Sequence, residues 1–481
     1  MIRTDIEKLL NPKTIAVVGA NNEMHRPATG FLASLKEIGF EGNLYPINPN
    51  IDESLGIKTY PKLSDVPDRV DHVVVAVPAR EAPYVIEDAV KKGVRSVHFF
   101  SSGFAEVATD EGEMLQRRID EIDRGKLRIL GPNCMGFYNP KAKVAFDLGQ
   151  PAVTGGAGFV SQSGGLSLAF IQAAVSEGNF CSKVVSIGNS MDLKLTDFLE
   201  YFSEDDETKV ISMYIEGLGA DEGKRFLYAI RNLAGKKPVL IWKGGQTERG
   251  ARAALSHTAA LAGSYHIWPT LAKQYGVILV DSIEEMHDFI KLHRLMPPPQ
   301  SQRSCLVAFG GGSSVAYSDV CNLQGIELPE LGDETKAKLF EFLAPVGTMV
   351  VNPVDLSSSG WLPGTVEKAV KAIGNESNID SIIFVSHMGF FITSSDRVGL
   401  DPKMVLEDQA EGVGAAARAT GLPVVCSNPA ACESLEAEKL RLHLKEALNK
   451  QGIPSFPTIE RTVKAFKRYY DYHQFAKSIA L

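Results

Sequence analysis

Short runs of β-branched and apolar residues, each closing on glycine, proline or asparagine, recur along this chain between longer stretches with apolar positions at helical spacing. The first group opens at Thr14-Ile-Ala-Val-Val-Gly19 and continues through residues 44–47, 72–77, 96–100 and 127–130. A second opens at Gly158-Phe-Val-Ser161 and continues through 183–187, 210–215, 238–242 and 277–280. After the proline-rich stretch Met296-Pro-Pro-Pro-Gln300, a third opens at Cys305-Leu-Val-Ala-Phe309 and continues through 381–386 and 423–426. Buried strands alternating with helical segments predict parallel sheets with crossover helices. The expected fold is α/β, with three Rossmann/flavodoxin-like, doubly wound parallel-sheet domains in series over residues 1–145, 146–297 and 304–481.

Composition fits that plan and narrows the partners. A chain of 481 residues exceeds what one hydrophobic core organises and predicts about three domains. With 44% hydrophobic and 22% charged residues and a net charge of −8, it reads as a soluble protein with no nucleic-acid partner. Local anion sites stay open, because backbone N–H groups bind phosphate without net positive charge. The six cysteines (Cys134, Cys181, Cys305, Cys321, Cys426 and Cys432) form no C-x-x-C pair, so they read as buried thiols in a reducing compartment. That spacing offers neither a zinc site nor a disulfide frame. No apolar run approaches the ~20 residues of a membrane span, and a cytoplasmic location without membrane association is expected.

Ligands of open parallel sheets bind beyond the carboxyl ends of the strands. In the first domain those ends are Gly19-Ala-Asn21, Asn48-Pro-Asn50, Val77-Pro-Ala79, Ser102-Gly-Phe-Ala-Glu106 and Gly131-Pro-Asn133-Cys-Met-Gly136. Any one of them is ordinary turn punctuation. Five in succession predict an edge where backbone approaches a bulky, phosphate-bearing ligand. Candidate contacts are Gly19, Ala20, Asn21, Asn48, Pro49, Val77, Pro78, Ser102, Gly103, Phe104 and Asn133. A nicotinamide cofactor is not expected, because Gly19 is followed by Ala20, Asn21, Asn22 and Glu23 in place of a G-x-G-x-x-G fingerprint.

In the second domain, Val160-Ser-Gln-Ser163-Gly164-Gly165 passes from a strand into an apolar-periodic helix. The unpaired N–H groups of such a start, with the helix dipole behind them, can seat a phosphate; the plain alternative is a capping serine. A neighbouring strand ends Met213-Tyr-Ile-Glu216-Gly217, which puts a carboxylate at the rim of the sheet or, as the plain alternative, a solvated loop acid. The stretch from Gly244 to Gly263 is rich in small residues and carries His257 between Ser256 and Thr258. A neutral imidazole is nucleophilic near neutral pH, so His257 is a candidate carrier of a phosphoryl group, and Glu216 could fix its tautomer. Ordinary polar surface is the competing reading of a single loop histidine.

Taken together these motifs resemble the alpha subunit of NDP-forming acyl-CoA synthetases, the ADP-forming acetyl-CoA synthetase group related to succinyl-CoA synthetase. The first domain is similar to the family's CoA-binding domain through Val18-Gly-Ala-Asn21, Tyr45-Pro-Ile-Asn-Pro49, Ser102-Gly-Phe-Ala-Glu106 and Gly131-Pro-Asn-Cys134. The second resembles its succinyl-CoA-ligase-like domain through Gln162-Ser-Gly-Gly165, Ser186-Ile-Gly-Asn189, Tyr214-Ile-Glu-Gly217 and Ser256-His-Thr258. The third resembles the additional alpha-subunit domain through Gly310-Gly-Gly312, Glu327-Leu-Pro-Glu330 and Asn352-Pro-Val-Asp-Leu356.

The resemblance implies reversible interconversion of acyl-CoA, ADP and phosphate with a carboxylic acid, CoA and ATP, by way of an acyl phosphate and a phosphohistidine. His257 matches the phosphorylated histidine, Glu216 the glutamate that stabilises it, and Ser163, Gly164 and Gly165 the phosphate-binding helix start. The family also needs an ATP-grasp module for ATP/ADP and Mg²⁺. No segment here is patterned to supply one, so a separate beta subunit in an alpha2beta2 heterotetramer is expected. This sequence departs from the family at Asn50, where lysine is frequent, at Ala259, where glycine is frequent after Ser-His-Thr, and at Ser313-Ser-Val, where a further glycine is usual. The alternative function is a CoA-binding regulatory or acyltransferase-associated protein without ligase activity.

Overall fold

The computed structural model describes residues 2–219, 221–252, 265–389, 399–430 and 432–480. These contain three mostly parallel sheets, distributed over two compact units that divide at His287 and Asp288.

The first unit carries two of the sheets. In the first, β1 (Thr14–Val18), β2 (Asn43–Ile47), β5 (His72–Val75), β6 (Ser96–Phe99) and β7 (Arg128–Leu130) lie in the order β2-β1-β5-β6-β7, every pair parallel. A small antiparallel hairpin of β3 (Glu53–Ser54) and β4 (Ile57–Lys58) follows β2. All five residues of β1 are buried, as are all four of β5 and of β6, which is why these strands read as unbroken apolar runs. Helices Pro27–Glu37, Ala82–Lys92 and Asp110–Glu121 connect them, and Val73, Val75, Val97, Phe99 and Ile129 form the centre of one core with Ile86 and Ile119 from the helices.

The second sheet contains β8 (Gly136–Tyr138), β9 (Ala157–Ser161), β10 (Cys181–Ser186), β11 (Val210–Ile215), β12 (Val239–Lys243) and β13 (Ile278–Leu279) in the order β13-β12-β11-β9-β10-β8. Its edge strand β8 runs antiparallel to β10, an element the sequence pattern did not predict. Three residues on a sheet edge are too few for an alternation signal. The two sheets are tied through the loop after β10. Arg128 donates two hydrogen bonds of 2.9 Å to Asp192, and the N–H groups of Asn189, Met191 and Leu193 donate to the carbonyls of Pro132, Gly131 and Ile129.

The second unit is built on β14 (Ser304–Ala308), β15 (Met349–Val350), β16 (Val354–Asp355), β17 (Ser381–Val385), β18 (Val424–Ser427) and β19 (Ser455–Phe456), ordered β15-β16-β14-β17-β18-β19. Only the β15–β16 pair is antiparallel. Helix Pro402–Thr420 starts at Asp401, whose side chain accepts from the N–H of Lys403, and stops at the left-handed Gly421. The closing segment around Tyr469 is the last part of helix Ile459–Ala480, with Tyr469 and Tyr472 buried. Tyr469 also donates from its hydroxyl to the Met296 carbonyl at 2.7 Å.

Five cysteines are buried, as expected, but Cys432 is exposed, because it falls in the short turn ahead of helix Leu435–Lys450. Among the described residues no group of three or more His, Cys, Asp or Glu side chains could hold a metal ion, and no helix is long and apolar enough to cross a membrane.

Candidate functional site

Two clusters of chemistry stand at carboxyl ends of strands in the first unit. The first is a cleft of 820 Å³ beyond β1, β2 and β5, a size suited to a small ligand or cofactor. Of the residues expected to contact a ligand, Gly19, Asn48, Pro49 and Val77 line it, together with Asn50. Asn48 organises this rim, its side-chain N–H donating to the Ala20 carbonyl at 2.8 Å and its side-chain oxygen accepting from Asn50 N–H at 2.9 Å.

The remaining candidates lie outside the lining of that cleft. Ala20 is fully buried. Asn21 spends its side-chain oxygen on the turn into helix Pro27–Glu37, accepting from Thr29 at 2.7 Å and from Glu23 N–H at 2.8 Å. Pro78 is exposed ahead of a 3-10 turn. Ser102 is exposed, while the N–H groups of Gly103 and Phe104 donate to the Glu106 carboxylate at 2.6 and 3.2 Å, so this loop supplies its own anion. The Phe104 side chain is a core residue, fully buried with its ring 6.2 Å from Phe99. Asn133 takes a left-handed conformation and donates its N–H to Ser101 at 3.0 Å.

Residues with no prior signal complete the cleft. Asp88 accepts from the N–H groups of Leu63 at 2.9 Å and Ser64 at 3.4 Å and so shapes one wall. Tyr84 contributes an exposed ring with the Arg118 guanidinium 4.2 Å above it.

The second cluster sits where β9, β11 and β12 end side by side, with Tyr214 opposite Ser161 and Ile215 opposite Lys243. Ser163 caps helix Gly164–Glu177, its hydroxyl accepting from Leu166 N–H at 3.3 Å, so the capping role considered for it is realised. Ser161 reinforces the turn, accepting from Ser163 N–H and donating to its carbonyl, both at 2.9 Å. Intrahelical bonding begins with Ser167 N–H on the Ser163 carbonyl, which leaves the N–H groups of Gly164 and Gly165 in the first turn without partners four residues back. Gly165 is exposed at this tip.

Glu216 follows β11 directly and is buried, not a solvated loop acid. Gln162, quoted in a motif but given no role by the sequence, is what holds it. The Gln162 side-chain oxygen accepts from Glu216 N–H at 2.6 Å and Gly217 N–H at 3.1 Å, and its amide nitrogen donates to the Gly217 carbonyl at 3.0 Å. Lys243, also buried, donates from Nζ to the Glu216 carbonyl at 2.8 Å and to the Gly244 carbonyl. Burial pushes its ammonium below the usual lysine value, and the Glu216 charge partly opposes that shift. Burial likewise pushes the Tyr214 phenol up to about 12, with the nearby, hydrogen-bonded Glu216 carboxylate adding to the rise. Gly244 has to be small here, since a Cβ on it would stand 2.7 Å from the Tyr214 hydroxyl.

Chemically, the helix start offers two backbone N–H groups to an oxyanion, and the neighbouring strand β11 ends on Glu216, whose main chain Gln162 fixes. His257, with Ser256 and Thr258, lies outside the described residues.

Comparison with known proteins divides the chain into three matched domains. Residues 13–140 match a family described as a CoA binding domain, residues 154–293 a succinyl-CoA ligase like flavodoxin domain, and residues 305–480 a ligase-CoA domain. The chain is 32% identical over 471 residues to the acetate–CoA ligase [ADP-forming] I subunit alpha of Pyrococcus furiosus, covering 97% of each. It is 33% identical over 353 residues to the 4-hydroxybutyrate–CoA ligase [ADP-forming] of Nitrosopumilus maritimus, covering 72% of this chain and 50% of that protein. Among solved structures, the dinucleotide forming acetyl-coenzyme A synthetase 1 of Candidatus Korarchaeum cryptofilum, in complex with phosphate and ADP, superposes with a TM-score of 0.83 at 32% identity. That match covers 100% of this chain and 99% of the other.

Proposed function

The chain belongs to the ADP-forming acyl-CoA ligase family as an alpha-subunit-like, CoA-binding member, and from that membership we propose that it is the alpha subunit of an acid-CoA ligase that passes a phosphoryl group through His257. In this reading residues 1–145 hold CoA, 146–297 conduct the phosphoryl chemistry and 304–481 form a third ligase-CoA domain.

In the direction of ATP synthesis, a phosphate oxygen attacks the thioester carbonyl, the C–S bond breaks, and CoA leaves as the thiol after taking up a proton. The acyl phosphate then meets the imidazole of His257. A ring nitrogen attacks phosphorus, the P–O bond breaks, and the carboxylate product departs. The phosphoryl group moves on from nitrogen to a terminal oxygen of ADP and restores the neutral ring. Glu216 accepts a hydrogen bond from the second ring nitrogen, which keeps the first one nucleophilic and stabilises the phosphorylated ring. Ser163, Gly164 and Gly165 seat the transferred phosphoryl oxygens at the helix start.

The observation that carries this reading is the Gln162 link, which ties the main chain at Glu216 to the strand end that leads into the helix start at Ser163. In the first domain, Gly19, Asn48, Pro49 and Val77 form the wall on which CoA lies, with Ala20, Asn21, Pro78, Ser102, Gly103, Phe104 and Asn133 shaping the adjoining loops. Relatives of this length are named alpha subunits, which supports an ATP-grasp beta partner for ATP/ADP and Mg²⁺ and an alpha2beta2 assembly. The acid is a small carboxylate, and no NAD takes part.

The test is reconstitution with the beta partner, ATP and Mg²⁺. Label from the γ-phosphate is expected on His257, and His257→Ala is expected to abolish turnover while leaving CoA binding intact. Full activity in that variant removes the mechanism.

A further inference from the structure

The opposite end of the first sheet, away from the strand ends that face the CoA cleft, holds a second cavity of 420 Å³. Five cations line it, Lys8, Arg69, Arg95, Arg124 and Lys126, against one carboxylate, Asp5. They come from separate elements: Lys8 from helix Ile2–Leu10, Arg69 from the segment before β5, Arg95 from the residue before β6, and Arg124 and Lys126 from the loop before β7. The fold therefore assembles this charge from positions up to 118 residues apart (126 − 8).

Neighbouring acids do not neutralise it. Asp5 lies 3.9 Å from Arg128, which is itself paired with Asp192 at 2.9 Å. Asp71 is 3.8 Å from Arg95 and accepts from the Lys13 N–H at 3.0 Å. Lys8, Arg69, Arg124 and Lys126 make no ion pair among the described residues. One Arg124 nitrogen, Nη1, is shielded from solvent and has no hydrogen-bond partner among the described residues. A charged N–H left so is costly, and a bound anion would satisfy it.

The ordinary use of cations at this end of a sheet is to neutralise the last carbonyls of a helix. Here helix Ala82–Lys92 closes without them. The N–H groups of Gly93 and Val94 donate to the carbonyls of Val90 and Ala89, both at 3.0 Å.

We propose that this cavity is a binding site for a small anion carrying a di- or triphosphate group, distinct from the CoA cleft and from the phosphoryl-transfer site. Planar guanidiniums present paired donors that match phosphate oxygens, and three of them with two ammonium groups suit a multiply charged chain of phosphates better than a single carboxylate. The volume falls in the range of small-ligand pockets.

The experiment is calorimetric titration of the full chain with inorganic tripolyphosphate, without CoA or Mg²⁺, the cavity variants separating this site from the cleft. One tripolyphosphate per chain is expected, weakened by added NaCl. Arg124→Gln is expected to weaken it about tenfold or more. A double variant of the exposed Arg69→Gln and Lys126→Gln should do the same, and serves if Arg124→Gln fails to fold. Titration with ADP distinguishes a nucleotide from an inorganic polyphosphate as the source of the phosphates. Absence of binding by the unaltered chain, or binding unchanged in the variants, overturns the proposal. So does tighter binding of a poly-glutamate peptide than of tripolyphosphate, which would assign the cavity to an acidic protein segment.

Discussion

Gln162 accepts the backbone N–H of Glu216 at 2.6 Å, so the residue that closes one strand positions the acid that closes its neighbour. Gln162→Ala leaves the Glu216 and Gly217 N–H groups and the Gly217 carbonyl without their partner in a buried setting. The expected cost is about 1–3 kcal/mol of stability, read from the urea midpoint. In the reconstituted enzyme kcat should fall while the KM for CoA holds, because the cleft beyond β1, β2 and β5 is untouched. An equal loss in both parameters would contradict this division.

Asn48 makes two hydrogen bonds that set the cleft rim, to the Ala20 carbonyl and from the Asn50 N–H. Asn48→Ala is expected to raise the KM for CoA about tenfold, the equivalent of ~1.4 kcal/mol, with kcat nearly unchanged. Steady-state kinetics over a CoA series checks it.

Gly188 takes a φ of 51°, and a Cβ there would fall 2.2 Å from the Pro132 carbonyl oxygen and 2.4 Å from that of Asn133. Both contacts are backbone and cannot rotate away. Gly188→Ala should therefore destabilise the first unit by about 1–3 kcal/mol through overpacking, seen as a lower thermal midpoint. It should also perturb the junction between β7 and the loop after β10.

His72 and His98 form a fully buried pair, with ring nitrogens 3.0 Å apart. Burial holds both imidazoles below their usual value, His98 down to about 3, and His98 adds to the depression at His72. The unfolded chain takes up protons near pH 6.5 while the folded one does not. Stability is thus complete above that pH and is lost as the pH falls from about 6.5 toward 3. Each histidine contributes a slope of at most about 1.4 kcal/mol per pH unit. Urea midpoints measured between about pH 7 and 4.5 should show this slope, and His98→Gln should reduce it. A flat profile in the unaltered protein would rule the pair out as its source.

Much of the fold was legible locally. Strands β1, β5, β6, β9 and β14 are buried along their whole length, and a strand covered on both faces must be an apolar run whatever its partners. Strands β8, β15 and β16 escaped, because segments of two or three residues carry no periodicity. At the cleft, Gly19, Asn48, Pro49 and Val77 were visible as strand ends, whereas Asp88 and Tyr84 face it from a helix whose pattern signals only amphipathicity. Phe104 shows the same limit. Its place in a loop motif suggested a ligand contact, but its ring fills the core beside Phe99.

What the amino-acid order determined by itself was the alternation of strand and helix and the small residues on which each strand closes. Both follow from backbone sterics and from burial of a single segment. Only the tertiary structure decided that β9, β11 and β12 end side by side, so that Glu216 meets Gln162 from 54 residues before it and Lys243 from 27 residues after it. Pairing between distant strands leaves no local mark on either one, because the hydrogen bonds that join them use main-chain groups that every residue except proline carries in full.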